Sequence, residues 1–370
     1  MIYVILAYIF YPLIVLLTRF KKRRMDSVLV FQTAKIGDMI CTTPVFREIK
    51  KAHPGIRLGV VADPVTKPLL EHNPHIDEVI VLDRKKTKGL TGKLSFARYV
   101  RSLDYSSALI LMPNVTNLFV AFWARIPDRF SVYPDFAGRT LKYLLALSTD
   151  VEYHYSPRMS METYLRSLRH FDIINWELDK EVYPSPEAQS KVSNILRGDG
   201  PFVGVVLGTG NEMKDWGKDN FLMLVRLILE RTDCEVVLLG SEKEGPVANA
   251  VIDYAGSDRI QNLCGLLTLT EMPALIKKLK LAVGVDTGLI YMADALNVPV
   301  VVVAGPCDMN DQRPTGKQSF IVQDRELQCV PCSHTFSTPY ECRHKHRGCV
   351  TEIAAEGVFK RVLQALEAGR

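Results

Sequence analysis

The stretch Leu281–Pro306, LAVGVDTGLIYMADALNVPVVVVAGP, constrains the fold more than any other part of the chain. Leu281 to Val285 is an unbroken apolar run, the pattern of a parallel strand buried on both faces. It stops at Asp286-Thr287-Gly288, which has the composition of a strand-to-helix turn. Leu289, Met292, Ala293 and Leu296 then recur at helical spacing. Asn297-Val298-Pro299 closes that helix, and Val300 to Ala304 is a second all-apolar strand ending at Gly305-Pro306. The whole is a βαβ unit with a short polar turn at the carboxyl end of its first strand, where open α/β sheets bind ligands. The following helix N-terminus presents free N–H groups and positive dipole to a phosphate.

The rest of the chain continues the alternation. Ser27 to Phe31, Leu58 to Ala62, Val79 to Leu82 and Ala108 to Met112 read as strands, with a helix at Pro44 to Ala52. A second set starts at Phe202 to Leu207 and continues through Phe221 to Glu230, Glu235 to Leu239 and Met272 to Lys278. Between the sets lie Tyr183-Pro184-Ser185-Pro186 and Gly198-Asp199-Gly200-Pro201, punctuated like a linker. The 370 residues accommodate two α/β halves of similar size, each with its own core, which implies a cleft between them. The expected boundaries are 1–25, 26–185, a linker at 186–200, 201–352, and a terminal amphipathic helix at 353–370.

Charge has to be located before it is interpreted. Of the 46 basic residues, Arg19, Lys21, Lys22, Arg23 and Arg24 stand together, and residues 1–25 hold no acid. The remainder balances 41 basic against 41 acidic side chains. A nucleic-acid protein needs a basic body, so no nucleic-acid partner is expected. The basic cluster follows an apolar run of sixteen residues, Ile2 to Leu17, interrupted by Pro12. At 1.5 Å per residue that run is about 24 Å long, just short of a hydrocarbon core. Charges that follow the apolar run are the reverse of a cleaved signal peptide. The reading is an N-terminal hydrophobic membrane anchor with the body on the cytoplasmic face; the alternative is an N-terminal helix docked on the core.

Four segments carry chemistry-bearing residues. Lys35-Ile36-Gly37-Asp38 follows the first strand, and a carboxylate there either takes a proton from an acceptor hydroxyl or caps the next helix. Leu207-Gly208-Thr209-Gly210 opens the second half and is followed by Lys214, a point charge suited to phosphate unless it is simply a solvated lysine. Glu242 and Glu244, after the strand at 235–239, can hold ribose hydroxyls or lie in a solvated loop. Cys329, Cys332, Cys342 and Cys349, with His334, His344 and His346 interspersed, offer four thiolates for a tetrahedral zinc. Their second pair is spaced too widely for the usual motif, and reduced loop thiols are the other reading. Cys41, Cys234, Cys264 and Cys307 read as small core residues. The chain lacks HExxH, Walker A and Gly-x-Ser-x-Gly, against a zincin, a P-loop NTPase and an α/β-hydrolase.

In order and spacing, KIGDMICTTPVFREIKKAHPG, LMPNVTNLFVAFWARIPDR, GTGNEMKDWGKDNF, LLGSEKE, GVDTGLIYMADALNVPVVVVAGP and the cysteine-rich tail resemble the bacterial lipopolysaccharide heptosyltransferases, glycosyltransferase family nine. The resemblance implies a GT-B fold, two Rossmann-like parallel-sheet domains facing a cleft. It implies inverting transfer of a sugar from a nucleotide-diphosphate donor, usually ADP-heptose, to a lipid-linked or lipopolysaccharide core acceptor. It places the catalytic base on Asp38, the phosphate lysine on Lys214, and the donor loop on Asp286, Thr287, Gly288 and Leu289. The same comparison leaves Thr209, Glu242 and Glu244 on the donor side and Lys35, Gly37 and Asn114 on the acceptor side. No cofactor is implied for catalysis. Two departures stand out. Gly217 replaces the proline of the Lys-x-Trp-Pro setting, and Ile290-Tyr291 replaces Ser-His after the donor loop. The second leaves open a UDP- or GDP-hexose donor; a membrane-tethered, non-catalytic envelope protein is the rival from another class.

Overall fold

In this computed structural model residues 2–19 and 25–368 are described. The chain forms two compact units, residues 1–178 and 179–370. The first holds a parallel sheet of six strands: β1 (Ser27–Gln32), β2 (Arg57–Ala62), β3 (Glu78–Val81), β4 (Ser107–Ile110), β5 (Asp128–Pro134) and β6 (Asp150–His154). Their order across the sheet is β3-β2-β1-β4-β5-β6. The second unit holds β7 (Phe202–Val206), β8 (Glu235–Leu239), β9 (Ile260–Asn262), β10 (Leu279–Val285), β11 (Val300–Val303) and β12 (Ser319–Val322). These run β12-β11-β10-β7-β8-β9, also all parallel. Both sheets therefore share one winding order, with a single switch point each: between β1 and β4, and between β7 and β10. The central strands are buried along their whole length, as both-face coverage requires.

The βαβ unit expected over residues 281–304 is present as β10, the helix Gly288–Ala295 and β11. Its helix stops because Asn297 takes a left-handed conformation and the Val298 N–H turns back to the Ala293 carbonyl at 2.9 Å. Strands β5, β6, β9 and β12 carry no clean apolar run and were not expected from the sequence. Two boundaries also shift. The units part at Leu178/Asp179, and the 186–200 stretch holds a helix, Ala188–Ile195, inside the second unit. The terminal helix Ala355–Ala368 is part of that unit's core through Val358, Val362 and Ala365.

The expected membrane anchor is corrected. Residues Ile2–Arg19 form a helix, with Pro12 inside it, and one of its faces is packed on the first unit. Val4, Ala7 and Ile14 are buried in that unit's core. Tyr3 meets Phe119 edge-on at 5.5 Å, Tyr11 lies parallel to Phe122, and Phe10 sits 5.4 Å from Trp123. The physical reason lies in the helix Val115–Trp123, apolar around most of its circumference, which needs cover on the side away from the sheet. Among the described residues no helix is long and apolar enough to cross a membrane. Lys21, Lys22, Arg23 and Arg24 of the basic cluster lie outside the described residues.

Candidate active site

In the first unit the loops leaving β1 and β4 meet at the switch point. Asp38 sits in the first turn of the helix Ile36–Ile40, half-exposed, and its Oδ2 accepts the Lys35 N–H at 3.1 Å. The Thr42 hydroxyl donates to the Asp38 carbonyl at 2.8 Å, and the buried Gln32 amide donates to the Thr42 hydroxyl at 2.8 Å. The carboxylate thus closes its own helix N-terminus, the capping alternative. Lys35 is exposed and Gly37 half-exposed on the same turn. Asn114, from the loop after β4, caps the helix Val115–Trp123 by accepting the Asn117 N–H at 2.9 Å. Its own amide donates to the Thr33 hydroxyl at 3.2 Å, and that hydroxyl also receives the Asn117 amide at 2.9 Å. Asn114 therefore ties the two switch-point loops together. Arg84, after β3, reaches the Thr33 carbonyl at 3.0 Å and keeps a largely exposed guanidinium at this edge.

In the second unit the loops after β7 and β10 meet in the same way. Lys214, on the short turn Glu212–Lys214, donates to Asp286 Oδ2 at 2.5 Å. The Tyr291 hydroxyl donates to Asp286 Oδ1 at 2.8 Å. Burial alone would push the Asp286 carboxyl up, but the Lys214 charge and hydrogen bonds from Lys214, Cys307 and Tyr291 hold it below the ordinary range. Burial works against the Lys214 ammonium in turn, and the Asp286 carboxylate outweighs it and raises its pKa. Burial also raises the Cys307 thiol, with the Asp286 charge adding to it, so Cys307 stays a neutral donor beside the pair.

The sequence explains why Lys214 is held there. Two residues on, Trp216 is fully buried in the core and donates its indole N–H to the Ile353 carbonyl at 2.8 Å. Gly217 follows with φ +95°, a conformation that proline, fixed near −65°, does not reach. The glycine at this departure is thus what the local backbone requires. Thr287 is the N-cap of the helix Gly288–Ala295 but makes no side-chain capping bond, and Thr287, Gly288 and Leu289 are all half-exposed. The result is an ammonium fixed in direction by one carboxylate, beside an uncapped helix N-terminus. That combination suits a diphosphate.

Other expected residues play plainer parts. Glu244 accepts the Ser241 N–H at 2.7 Å, and its side chain fills the space over Gly208 and Gly240. It is a cap and a packing element, while Glu242 stays exposed. Thr209 is half-exposed, and its hydroxyl accepts the Asn211 N–H at 3.3 Å. Among the described residues no group of three or more His, Cys, Asp or Glu side chains is arranged to hold a metal, and all eight cysteines are free thiols. Cys342 turns its sulfur into the N–H groups of Arg347, His344, His346 and Lys345, which hold its pKa below the usual value. Burial, with the neighbouring Cys332, Cys329 and Cys342, raises Cys349 to about 11. His334 pairs with Asp308 at 3.2 Å instead of joining the thiols.

Sequence reasoning missed Thr33, Asn117 and Arg84 in one unit, and Tyr291 and Cys307 in the other. Cys307 followed the Gly305-Pro306 strand end, a position equivalent to those of Asp38 and Asp286, and that was the available signal. Tyr291 stood out only as a departure from a motif.

Three comparisons bear on this geometry. The family model glycosyltransferase family 9 (heptosyltransferase) matches residues 94–342. Lipooligosaccharide heptosyltransferase 2 of Haemophilus influenzae is 22% identical over 80% of this chain and 88% of its own length. Among solved structures, ADP-heptose lps heptosyltransferase II of E. coli superposes with a TM-score of 0.72 at 20% identity, covering 92% of this chain and 99% of that one. The E. coli heptosyltransferase WaaC with ADP gives 0.67 at 17% identity, over 92% and 99%. The two-sheet architecture is thus GT-B-like.

Proposed function

The chain belongs to glycosyltransferase family 9, and on that premise we propose that it moves a heptose from ADP-heptose onto a lipopolysaccharide core acceptor. The observation that carries this reading is the Lys214–Asp286 pair beside the uncapped Thr287 helix terminus, at the switch point of the second sheet. A sugar leaving a nucleotide diphosphate needs its departing charge stabilised and its acceptor hydroxyl deprotonated, with no covalent intermediate on the protein. Lys214 and the N–H groups at Thr287 to Leu289 serve the first need. Asp286 repels a diphosphate, so its part is to aim Lys214 and to meet donor hydroxyls. Asp38 serves the second need as the base, with Lys35, Gly37 and Asn114 shaping the acceptor side.

The departure at Tyr291 keeps a UDP- or GDP-hexose as the second donor to test, since its hydroxyl occupies Asp286 where the resembling family carries Ser-His. Purified protein is to be supplied with ADP-heptose, UDP-hexose and GDP-hexose in turn, with a heptose-deficient lipopolysaccharide core as acceptor. Transfer is expected from ADP-heptose, and Asp38→Asn should lower it by about 10²–10⁴-fold while ADP binding is unchanged. Turnover of the variant within tenfold of wild type (roughly 1.4 kcal/mol) would remove Asp38 from the chemistry. Transfer from a UDP- or GDP-sugar alone would replace the donor.

A further inference from the structure

The N-terminal helix has a second face that the protein does not cover. Ile2, Ile5, Ile9, Leu13 and Leu16 recur at three- and four-residue spacing and are 48–64% exposed. Their neighbours Tyr8, Phe10, Tyr11 and Leu17 are also substantially exposed. Scattered apolar residues on a surface need no explanation, but a contiguous stripe along an entire helix does. The opposite face is already committed to the core through Val4, Ala7 and Ile14. Crossing a bilayer would strip that face from its packing, and 18 residues extend only about 27 Å. A helix held on the protein by one face and apolar on the other is suited to lie in the plane of a membrane surface.

Charge selects the occupant. No acidic or basic side chain interrupts residues 2–18. The helix Arg139–Leu145 packs alongside, and the Tyr8 hydroxyl donates to its Tyr143 carbonyl at 3.0 Å. Arg139, Lys142 and Tyr143 of that helix are exposed. In sequence the apolar run leads directly into Arg19, Lys21, Lys22, Arg23 and Arg24, with no acid before Asp26. An apolar stripe bordered by cations and an aromatic side chain matches acyl chains beneath anionic headgroups. A second copy of this chain would bring like charges together.

We infer that the helix Ile2–Arg19 docks the protein in-plane on a bilayer rich in acidic phospholipid, by its Ile2-Ile5-Ile9-Leu13-Leu16 face. This goes beyond the transfer reaction and does not depend on which sugar is moved. The test is flotation of the full chain with phosphatidylcholine vesicles, with and without about 30% phosphatidylglycerol. Binding is expected on the anionic vesicles and should weaken in high salt. The triple variant Ile5→Ser/Ile9→Ser/Leu13→Ser should bind about a hundredfold more weakly or worse, with an unchanged circular dichroism spectrum. Arg139→Glu/Lys142→Glu should cost about tenfold on anionic vesicles and nothing on neutral ones. Single Ile5→Trp and Leu13→Trp variants should be quenched alike by lipids brominated at one depth. Unequal quenching would indicate a crossing helix and overturn the in-plane reading. So would undiminished binding by the triple variant, or concentration-dependent dimers of the wild type that the triple variant abolishes. Transfer to a short delipidated acceptor should be the same in wild type and triple variant, which separates failure of this inference from failure of the proposed reaction.

Discussion

Lys214 and Asp286 illustrate how a pair of charges is kept buried at the switch point of a parallel sheet. Asp286 has a folded pKa below its unfolded value, so its stabilisation is present above about pH 3.9 and is lost as pH falls through the depressed value. Lys214 has a folded pKa above its unfolded value, so its stabilisation is present below about pH 10.4 and is lost as pH rises through the raised one. Between those limits the pair is charged and intact. Lys214→Ala should leave Asp286 buried without its cation and destabilise the protein by about 3–5 kcal/mol at neutral pH. Urea unfolding should show that loss shrinking on acidification, because the orphaned carboxyl then takes up a proton. A loss independent of pH would mean that the pair is not charged in the folded state. Calorimetry on the same variant should show weaker ADP binding, by about 1.5–3 kcal/mol, with adenosine bound as by wild type.

At the level of elements, the helix Gly288–Ala295 is secured from its far end. Asp294, near its C-terminus, accepts the Lys180 ammonium at 2.7 Å, the Gly316 N–H at 2.8 Å, the Thr315 N–H at 3.1 Å and the Ser319 hydroxyl at 3.2 Å. The side chains of Lys180 and Asp294 are 1% and 2% exposed, so neither charge is solvated. Asp294→Ala should cost about 3–5 kcal/mol, because it leaves a buried ammonium without a counter-charge. The double variant Lys180→Met/Asp294→Leu should recover part of that loss in urea midpoint measurements. Equal losses in the two would show that the desolvated charge is not what the single change exposes. The sequence offered Asp294 only as a residue at helical spacing, because its four partners come from segments 21 to 114 positions away.

Each unit of the whole molecule carries its own sheet and its own apolar core. Lys214, Asp286, Tyr291, Cys307 and the Thr287 helix terminus all fall in residues 179–370. That unit, produced alone, should therefore fold cooperatively and bind ADP within about tenfold of the full chain, roughly 1.4 kcal/mol. Isothermal calorimetry on residues 179–370 checks this, and an unfolded fragment or a thousandfold loss would show that nucleotide binding needs the other unit. The unit 1–178, which holds Asp38, Asn114 and Arg84, should not bind the nucleotide.

The α/β alternation, the parallel character of the strands and the place of the turns at their carboxyl ends were legible in the sequence, because buried parallel strands are continuous apolar runs and the turns after them are short and polar. Asp38, Lys214 and Asp286 to Leu289 could be found at those strand ends without a structure. Edge strands such as β6 and β12 could not, because a strand with one open side tolerates polar residues and loses the pattern. Nor could the partners of Asp286 and Asp294, or the docking of the N-terminal helix. Periodicity shows that Ile2 to Leu17 is apolar on every side; what packs against the helix is a segment more than a hundred residues away, and only the tertiary packing decides which face is buried and which is left exposed.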